Sequence, residues 1–319
     1  MKMNIFTSVH VSLCKYAITA IFIMVTTGAL AQRSSRIAHG TPVRFSLNAY
    51  SFNSRLMEKD PADGRSVFGL LDLIDWAAGQ NLEAVDITGY YFPGYPIPPS
   101  DDVIRKVRQR AAARGLAISG TGIRNHFASA DPAVREAGIQ LAKQWIDVAA
   151  KLGAPVIRLF AGPMPPGYDN RWEEVMTWMA PCFRACAEYA QTKGVRIGIQ
   201  NHADALSTAD QTLRLLRAIN HPGVGLIVDT GSFTTSDPYT EIAMTAPYAI
   251  NWQVKERLHG EGPDKKTDML RVMKIIRASG YKGFVPVETL PEKGKPYDPF
   301  VRVPMLLTEM QTARAAAYK

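Results

Sequence analysis

Eight short runs of β-branched and apolar residues recur along this chain, and longer segments with helical period lie between most of them. The runs are RFSLNAY at 44–50, AVDI at 84–87, LAISGTG at 116–122, PVIRLFA at 155–161, RIGIQ at 196–200, VGLIVD at 224–229, AINWQV at 249–254 and GFVPVE at 283–288. Short apolar runs bounded by turn residues read as strands, and apolar positions recurring every three or four residues read as helices that bury one stripe. VFGLLDLIDWAAGQ puts Phe68, Leu71, Ile74 and Ala78 on such a stripe. DDVIRKVRQRAAARG opens on two acids and stops at Gly115, as the helix dipole and a left-handed C-terminal residue favour. VREAGIQLAKQWIDVAAKLG, EEVMTWMAPCFRACAEYAQTKG and TDMLRVMKIIRASG also end at Gly, and STADQTLRLLRAI opens on a Ser/Thr cap.

Strands that alternate with helices make a parallel sheet, because a parallel neighbour is reached only through a crossover, and the crossover helices cover the sheet. Eight such units predict a closed (β/α)₈ barrel, a single α/β domain over residues 44–319. The competing open, doubly wound sheet carries a phosphate-binding G-x-G-x-x-G near its first turn, and this chain has none there.

The barrel is preceded by a different kind of segment. Residues 1–31 carry Lys2 and Lys15, a charge-free run YAITAIFIMVTTGALA, and the exit Ala29-Leu30-Ala31 ahead of Gln32. That is the pattern of a secretory signal peptide, and its apolar core falls short of the ~20 residues that span a bilayer. Cleavage after Ala31, a flexible lead-in over 32–43, and a periplasmic or secreted location follow as expectations. Removing the signal leaves two cysteines, Cys182 and Cys186, one helical turn apart. A disulfide between neighbouring turns is geometrically awkward, so both are read as core residues. The formal charge of +8 drops to +6 without the two signal lysines, and the remaining Lys and Arg are scattered. Solvated helix faces account for them, and nucleic acid is not an expected partner.

In a barrel of this kind reactive groups gather at the C-terminal ends of the strands. Here those ends are polar: Asn48 and Ser51; Asp86; Arg124, Asn125 and His126; Arg158; Gln200, Asn201 and His202; Asp229; Gln253 and Lys255; Glu288. Asp229 and Glu288 each follow a run of apolar residues, where a carboxylate without a task is unfavourable. Alternation sends Gln253 and Lys255 to one side and Glu256 to the other, where a salt bridge to a helix would hold it. His126 and Asp204 read as loop caps, and His221 and His259 as surface residues. The loops GYYFPGYPIPP and AGPMPPGYDNRW, rich in aromatics and prolines, would cover a concave pocket suited to the C–H faces of a sugar.

With VDTGSF, a strand ending in WQVKE, and a final PVETL, the chain resembles the xylose-isomerase-like TIM barrels. These are the sugar phosphate isomerase/epimerase relatives, which include ketose 3-epimerases, inosose dehydratases and endonuclease IV. The resemblance covers most of the chain beyond the signal. It implies one divalent metal held by a Glu, an Asp, a His and a Glu, which fall here on Gln200, Asp229, Gln253 and Glu288. A Gln carbonyl still ligates a hard cation, so the implied site is four oxygens for Mn²⁺, Mg²⁺ or Ca²⁺, weaker than the parent. An amide takes no proton, however. The family's 3-epimerases use two Glu as bases, and Gln200 removes one of them.

A one-base site fits an isomerase, or a lyase that eliminates next to a keto group of a sugar or glycoside. Glu288 would be the base, with the metal, Lys255 or His202 steadying the enolate oxygen, so the reaction is expected to be metal-assisted. Asn48, Asp86, Arg124, Arg158 and Asn201 are the expected substrate-binding residues. A sugar 3-epimerase and a non-catalytic sugar-binding barrel are the alternatives. An endonuclease is disfavoured by both Gln substitutions. The expected partner is a small carbohydrate, and relatives of this kind are often homo-oligomers.

Overall fold

The structure is a computed structural model and describes residues 42–260 and 265–319. The expected signal and most of the expected lead-in lie outside them. Eight parallel strands close in chain order into a barrel. They are β1 (Arg44–Asn48), β2 (Ala84–Thr88), β3 (Ala117–Gly122), β4 (Val156–Phe160), β5 (Arg196–Gln200), β6 (Val224–Asp229), β7 (Ala249–Lys255) and β8 (Phe284–Glu288). Each lies within two residues of its run in the sequence. The helices are α1 (Asn53–Leu56), α2 (Leu70–Ala78), α3 (Asp101–Ala113), α4 (Pro132–Leu152), α5 (Trp172–Gln191), α6 (Ala209–Ile219), α7 (Pro238–Thr245), α8 (Met269–Ala278) and α9 (Pro299–Ala317).

The cap chemistry explains where the helices begin and end. Ser100 Oγ accepts from the Val103 amide, with Asp101 and Asp102 in the first turn of α3. Thr208 and Gln211 form a reciprocal capping box at the start of α6. Gly153 closes α4 at φ +78°, a left-handed conformation that glycine adopts without strain. In α2 the buried stripe is Leu70, Leu73, Ile74 and Ala77, and Phe68, Leu71 and Ala78 are only partly buried. Periodicity found the helix and placed its inward face about one residue off. Helices α7 and α9 carry a weak amphipathic signal and escaped the sequence pattern, and α9 has Pro304 inside it. Both start at an Asp–Pro pair, Asp237-Pro238 and Asp298-Pro299, with the Asp side chain capping the helix. Asp131-Pro132 opens α4 in the same way. Such pairs are the signal that could have found them.

Outward-facing apolar side chains such as Leu47, Ile87, Ile157, Ile197 and Ile199 are fully buried. The barrel interior is partly polar. Ser46 Oγ and Ser119 Oγ bond across it at 2.7 Å, and Asn251 Nδ2 donates to Asp86 Oδ2 at 3.1 Å. Gly120 makes room for that second pair, since a Cβ there would collide with Asp86 Oδ2. Strand register then sets the upper rim. Phe160 lies beside Gln200, Asp229 beside Gln253, and Lys255 beside Glu288. The seam between β8 and β1 is closed above the barrel: the Thr289 amide donates to Ser51 Oγ at 3.1 Å, and the Tyr297 hydroxyl to the Ser51 carbonyl at 2.6 Å.

Candidate active site

The rim of β5 to β8 holds one connected polar cluster. Asp229 is fully buried at the tip of β6. Its Oδ2 accepts from Gln200 Nε2 at 2.7 Å, Lys255 Nζ at 2.7 Å and Ser232 Oγ at 2.8 Å, and its Oδ1 accepts from the Gly231 amide at 2.9 Å. Lys255 Nζ also lies 3.6 Å from Glu288 Oε1, and Gln253 Nε2 donates to Glu288 Oε2. The lysine has a slot of its own. Its amide donates to Thr230 Oγ1 at 3.0 Å, and its stem passes so close to Gly231 that a Cβ there would sit 2.6 Å from Lys255 Cδ. The Gly in VDTGSF therefore leaves room for the lysine.

Above this cluster is a cavity of about 590 Å³. Lys255, Glu288 and Gln253 form part of its wall, with Arg158, Arg124 and His202 around them. Arg158 is buried, its guanidinium 4.3 Å from the Phe160 ring centroid, and it donates to the Tyr90 hydroxyl. Arg124 lies over Tyr90 at 4.6 Å, and its amide donates to Tyr95 Oη at 2.8 Å. His202 packs on Phe160 at 4.5 Å between centroids, with one side open to the cavity. Tyr90 brings the loop after β2 into the site. The loop after β4 packs outward, with Tyr168 against Trp178 of α5.

The structure thus gathers Gln200, Asp229, Gln253, Lys255 and Glu288 in one cluster, with His202, Arg124 and Arg158 on the cavity wall. Three of the expected substrate-binding residues do not line that cavity. Asn48 Oδ1 caps the turn that follows β1 by accepting from the Tyr50 amide at 2.9 Å. Asn201 joins β5 to β6 through both directions of an amide–backbone pair with Asp229, at 2.8 and 3.0 Å. Asp86 lies inside the barrel against Asn251. The loop roles of His126 and Asp204 agree with the sequence: His126 Nε2 is 3.1 Å from the Pro163 carbonyl, and Asp204 accepts from the Leu206 and Gly162 amides. Glu256 pairs with Arg302 of α9 at 2.7 Å, and Cys182 and Cys186 are free and buried. Ser232, Thr230, Tyr90 and Asn251 join the site without a mark in the strand-tip pattern. Ser232, three residues past Asp229, was legible as a turn partner of that carboxylate. Nothing local marked Asn251.

Burial sets the protonation states. It pushes the Glu288 carboxyl up to about 7, against the pull of Lys255. Burial also opposes the Lys255 ammonium, but Asp229 and Glu288 together outweigh it and hold its pKa above the usual range. Desolvation lowers His202 below the ordinary imidazole range, with Lys255 and Arg158 adding to the effect against Asp229, so the ring is neutral at pH 7. Near neutrality, then, a carboxyl poised to take or give a proton stands 3.6 Å from a permanent cation.

These pKa values have a consequence for stability. Burial raises Asp86 to about 6 and Asp204 to about 7, as it raises Glu288. The lowered His202 acts in the opposite sense, but three raised carboxyls outweigh it, so the folded state binds more protons than the unfolded chain between about pH 4 and 7 and stability falls as pH rises through that window. Urea midpoints are expected to be higher at pH 5 than at pH 8. Asp86→Asn, which keeps an acceptor for Asn251, should remove about 1.4 kcal/mol of the difference between pH 5 and pH 8, since Asp86 loses its proton near 6. A midpoint that rises from pH 5 to 8 would contradict it.

The cluster does not fit a divalent cation. Both glutamines turn N–H groups toward the two carboxylates; Gln200 Oε1, buried without a hydrogen bond, is an acceptor that a cation would satisfy, but it stands without a second bare oxygen shown beside it. The Lys255 ammonium stands between Asp229 and Glu288, where a metal would need bare oxygens at about 2.0–2.6 Å. Among the described residues, no group of three or more His, Cys, Asp and Glu is placed to hold a metal.

A ketose 3-epimerase of Arthrobacter globiformis is 26% identical over 216 residues, spanning 63% of this chain and 73% of that protein. Among solved structures, an L-ribulose 3-epimerase superposes with a TM-score of 0.66 at 15% identity, covering 86% of this chain and 97% of the other. A xylose isomerase-like barrel from Mycobacterium smegmatis, in complex with magnesium, gives 0.63 at 18% identity over 86% and 98%. Residues 74–302 match the family model described as the xylose isomerase-like TIM barrel, and with that match over most of its length the chain belongs to that family.

Proposed function

We propose that this barrel is a carbohydrate-active isomerase or lyase that removes a proton from the carbon next to a carbonyl of a sugar, a keto-sugar or its glycoside. The observation that carries this reading is Glu288, a buried carboxyl with a pKa of about 7, beside the Lys255 ammonium on the wall of a cavity of about 590 Å³. Glu288 takes the proton, and the electron pair moves onto the carbonyl oxygen, where a positive donor stabilises the enolate. Passing the α-hydroxyl proton to the former carbonyl oxygen and returning the abstracted proton to the former carbonyl carbon isomerises the sugar; collapse of the enolate with expulsion of a β-leaving group, which departs with the proton Glu288 took, makes the enzyme a lyase. Neutral His202 and the Arg158 and Arg124 guanidiniums are placed to hold hydroxyls. A metal at Gln200, Asp229, Gln253 and Glu288 is not carried into this reading, because the cluster does not fit one.

Epimerisation at the same carbon is the second reading, favoured by the ketose 3-epimerase relative. It needs a second proton carrier, and the Gln200 amide is not one. Incubating the protein with ketoses, aldoses and 3-keto-glycosides in D₂O and following them by NMR separates these cases. Label with migration of the carbonyl, or release of a leaving group, is expected. Label with inversion at the same carbon would favour epimerisation. No exchange in any of these sugars would sink both and leave a sugar-binding barrel.

A further inference from the structure

We infer that the Lys255 ammonium is the resident cation of this site, in the place where the resemblance puts a divalent metal, and that the chain works without one. This rests on the reading above that the cluster acts on a carbonyl, since that chemistry needs a positive charge beside the developing oxyanion.

Three features of the cluster carry the inference. The ammonium lies 2.7 Å from Asp229 Oδ2 and 3.6 Å from Glu288 Oε1, the two acidic positions that match the resemblance. It is held there by a built slot: Ser232 Oγ lies 3.4 Å from Nζ, Thr230 Oγ1 takes the backbone amide, and Gly231 leaves room for the stem. The two amides, at the other two positions, are turned for a lysine. Each donates an N–H to a carboxylate that the ammonium also faces, and this suits two anions sharing one positive charge. A metal on Asp229 Oδ2 would compete with the bonds that Gln200 Nε2 and Lys255 Nζ make to that oxygen, each at 2.7 Å. The exchange of Glu for Gln at 200 and His for Gln at 253, relative to the implied ligand set, removes one negative charge and a nitrogen ligand. A site that already holds a cation needs neither. Lys255 lines the cavity with 11 % of its side chain exposed, so a substrate there meets this residue beside its two acids.

Titrating Mn²⁺ into the full chain, with the free ion followed by electron paramagnetic resonance, tests this without any substrate. The native chain is expected to leave the free-ion signal undiminished into the millimolar range. The triple variant Gln200→Glu, Gln253→His, Lys255→Met should take up one ion per chain and quench the signal accordingly. Stoichiometric uptake by the native chain would overturn the inference. So would a triple variant with native circular dichroism that takes up none, because the ammonium and amides would then not be what excludes the ion. If the triple variant does not fold, the native titration still decides. Failure in D₂O exchange, by contrast, strikes the proposed reaction and leaves the Mn²⁺ result readable.

Discussion

Glu288→Gln should lower turnover by about a thousandfold, within the range that a positioned general base contributes, and leave the barrel folded. The amide keeps the size of the carboxyl and still offers an oxygen to Gln253 Nε2, while Lys255 retains Asp229 at 2.7 Å. The buried group also becomes permanently neutral, which removes the desolvation that now raises its pKa. Stability should therefore stay within about 1–2 kcal/mol of the native chain, as for replacements that leave no buried charge unpaired. The pH profile gives a second signature. The ionised carboxylate is the reactive form, so native kcat/KM should climb as pH rises through about 7, the value to which burial lifts Glu288. The variant's residual activity should lack that limb. Turnover within tenfold of native, with the limb still present, would assign the base to another group.

The barrel was legible because its strands are buried on both faces and so read as compact apolar runs, each closed by a polar tip. RIGIQ and VGLIVD were found to the residue, since Gln200 and Asp229 end both the pattern and the ladder. Helices whose stability comes from packing more than from periodicity were not legible, α9 with its internal Pro304 above all. Within the site, alternation correctly sent Gln253 and Lys255 inward and Glu256 outward to Arg302. The same rule could not rank depth. Asp86 and Glu288 both come from β-strands with apolar neighbours. Strand β2 runs on past Asp86 to Thr88, which leaves its carboxylate inside the barrel, whereas β8 ends at Glu288 and presents it to the cavity. Asn48 and Asn201 read as substrate ligands in the sequence because a polar tip looks alike whether it faces a ligand or closes a turn. Only the backbone groups around them, which sequence does not show, decide that. Lys255 was legible as an inward rim residue on the strand between those of Asp229 and Glu288, but the ion pairs that it makes with both were not.

Asp229→Asn should be the most damaging single change to stability, about 3–5 kcal/mol, the range for breaking one partner of a buried ion pair. The carboxylate is fully buried and accepts from four donors, and no other group compensates Lys255 as closely. An asparagine keeps the shape but loses the charge, and its NH₂ must face another donor. Lys255 is then left with Glu288 alone, at 3.6 Å. The effect belongs to the pair, and a double-mutant cycle with Lys255→Met exposes this. Without the ammonium, Asp229 still accepts from Gln200, Ser232 and Gly231, and Glu288 can take up a proton, so Lys255→Met alone should be milder. Adding Asp229→Asn to that background no longer strands a cation. The double variant should be more stable than the sum of the single effects by about 2 kcal/mol, within the range for residues that share one network. Urea denaturation of the four proteins measures it. Additivity within about 0.5 kcal/mol, as for sites without a shared partner, would mean that lysine and aspartate do not hold each other, and the ammonium would then be too loosely placed to serve a substrate oxygen. A large coupling means the opposite: the charge is fixed in position before the substrate arrives, so little of the reorganisation that water would require remains to be done during the reaction.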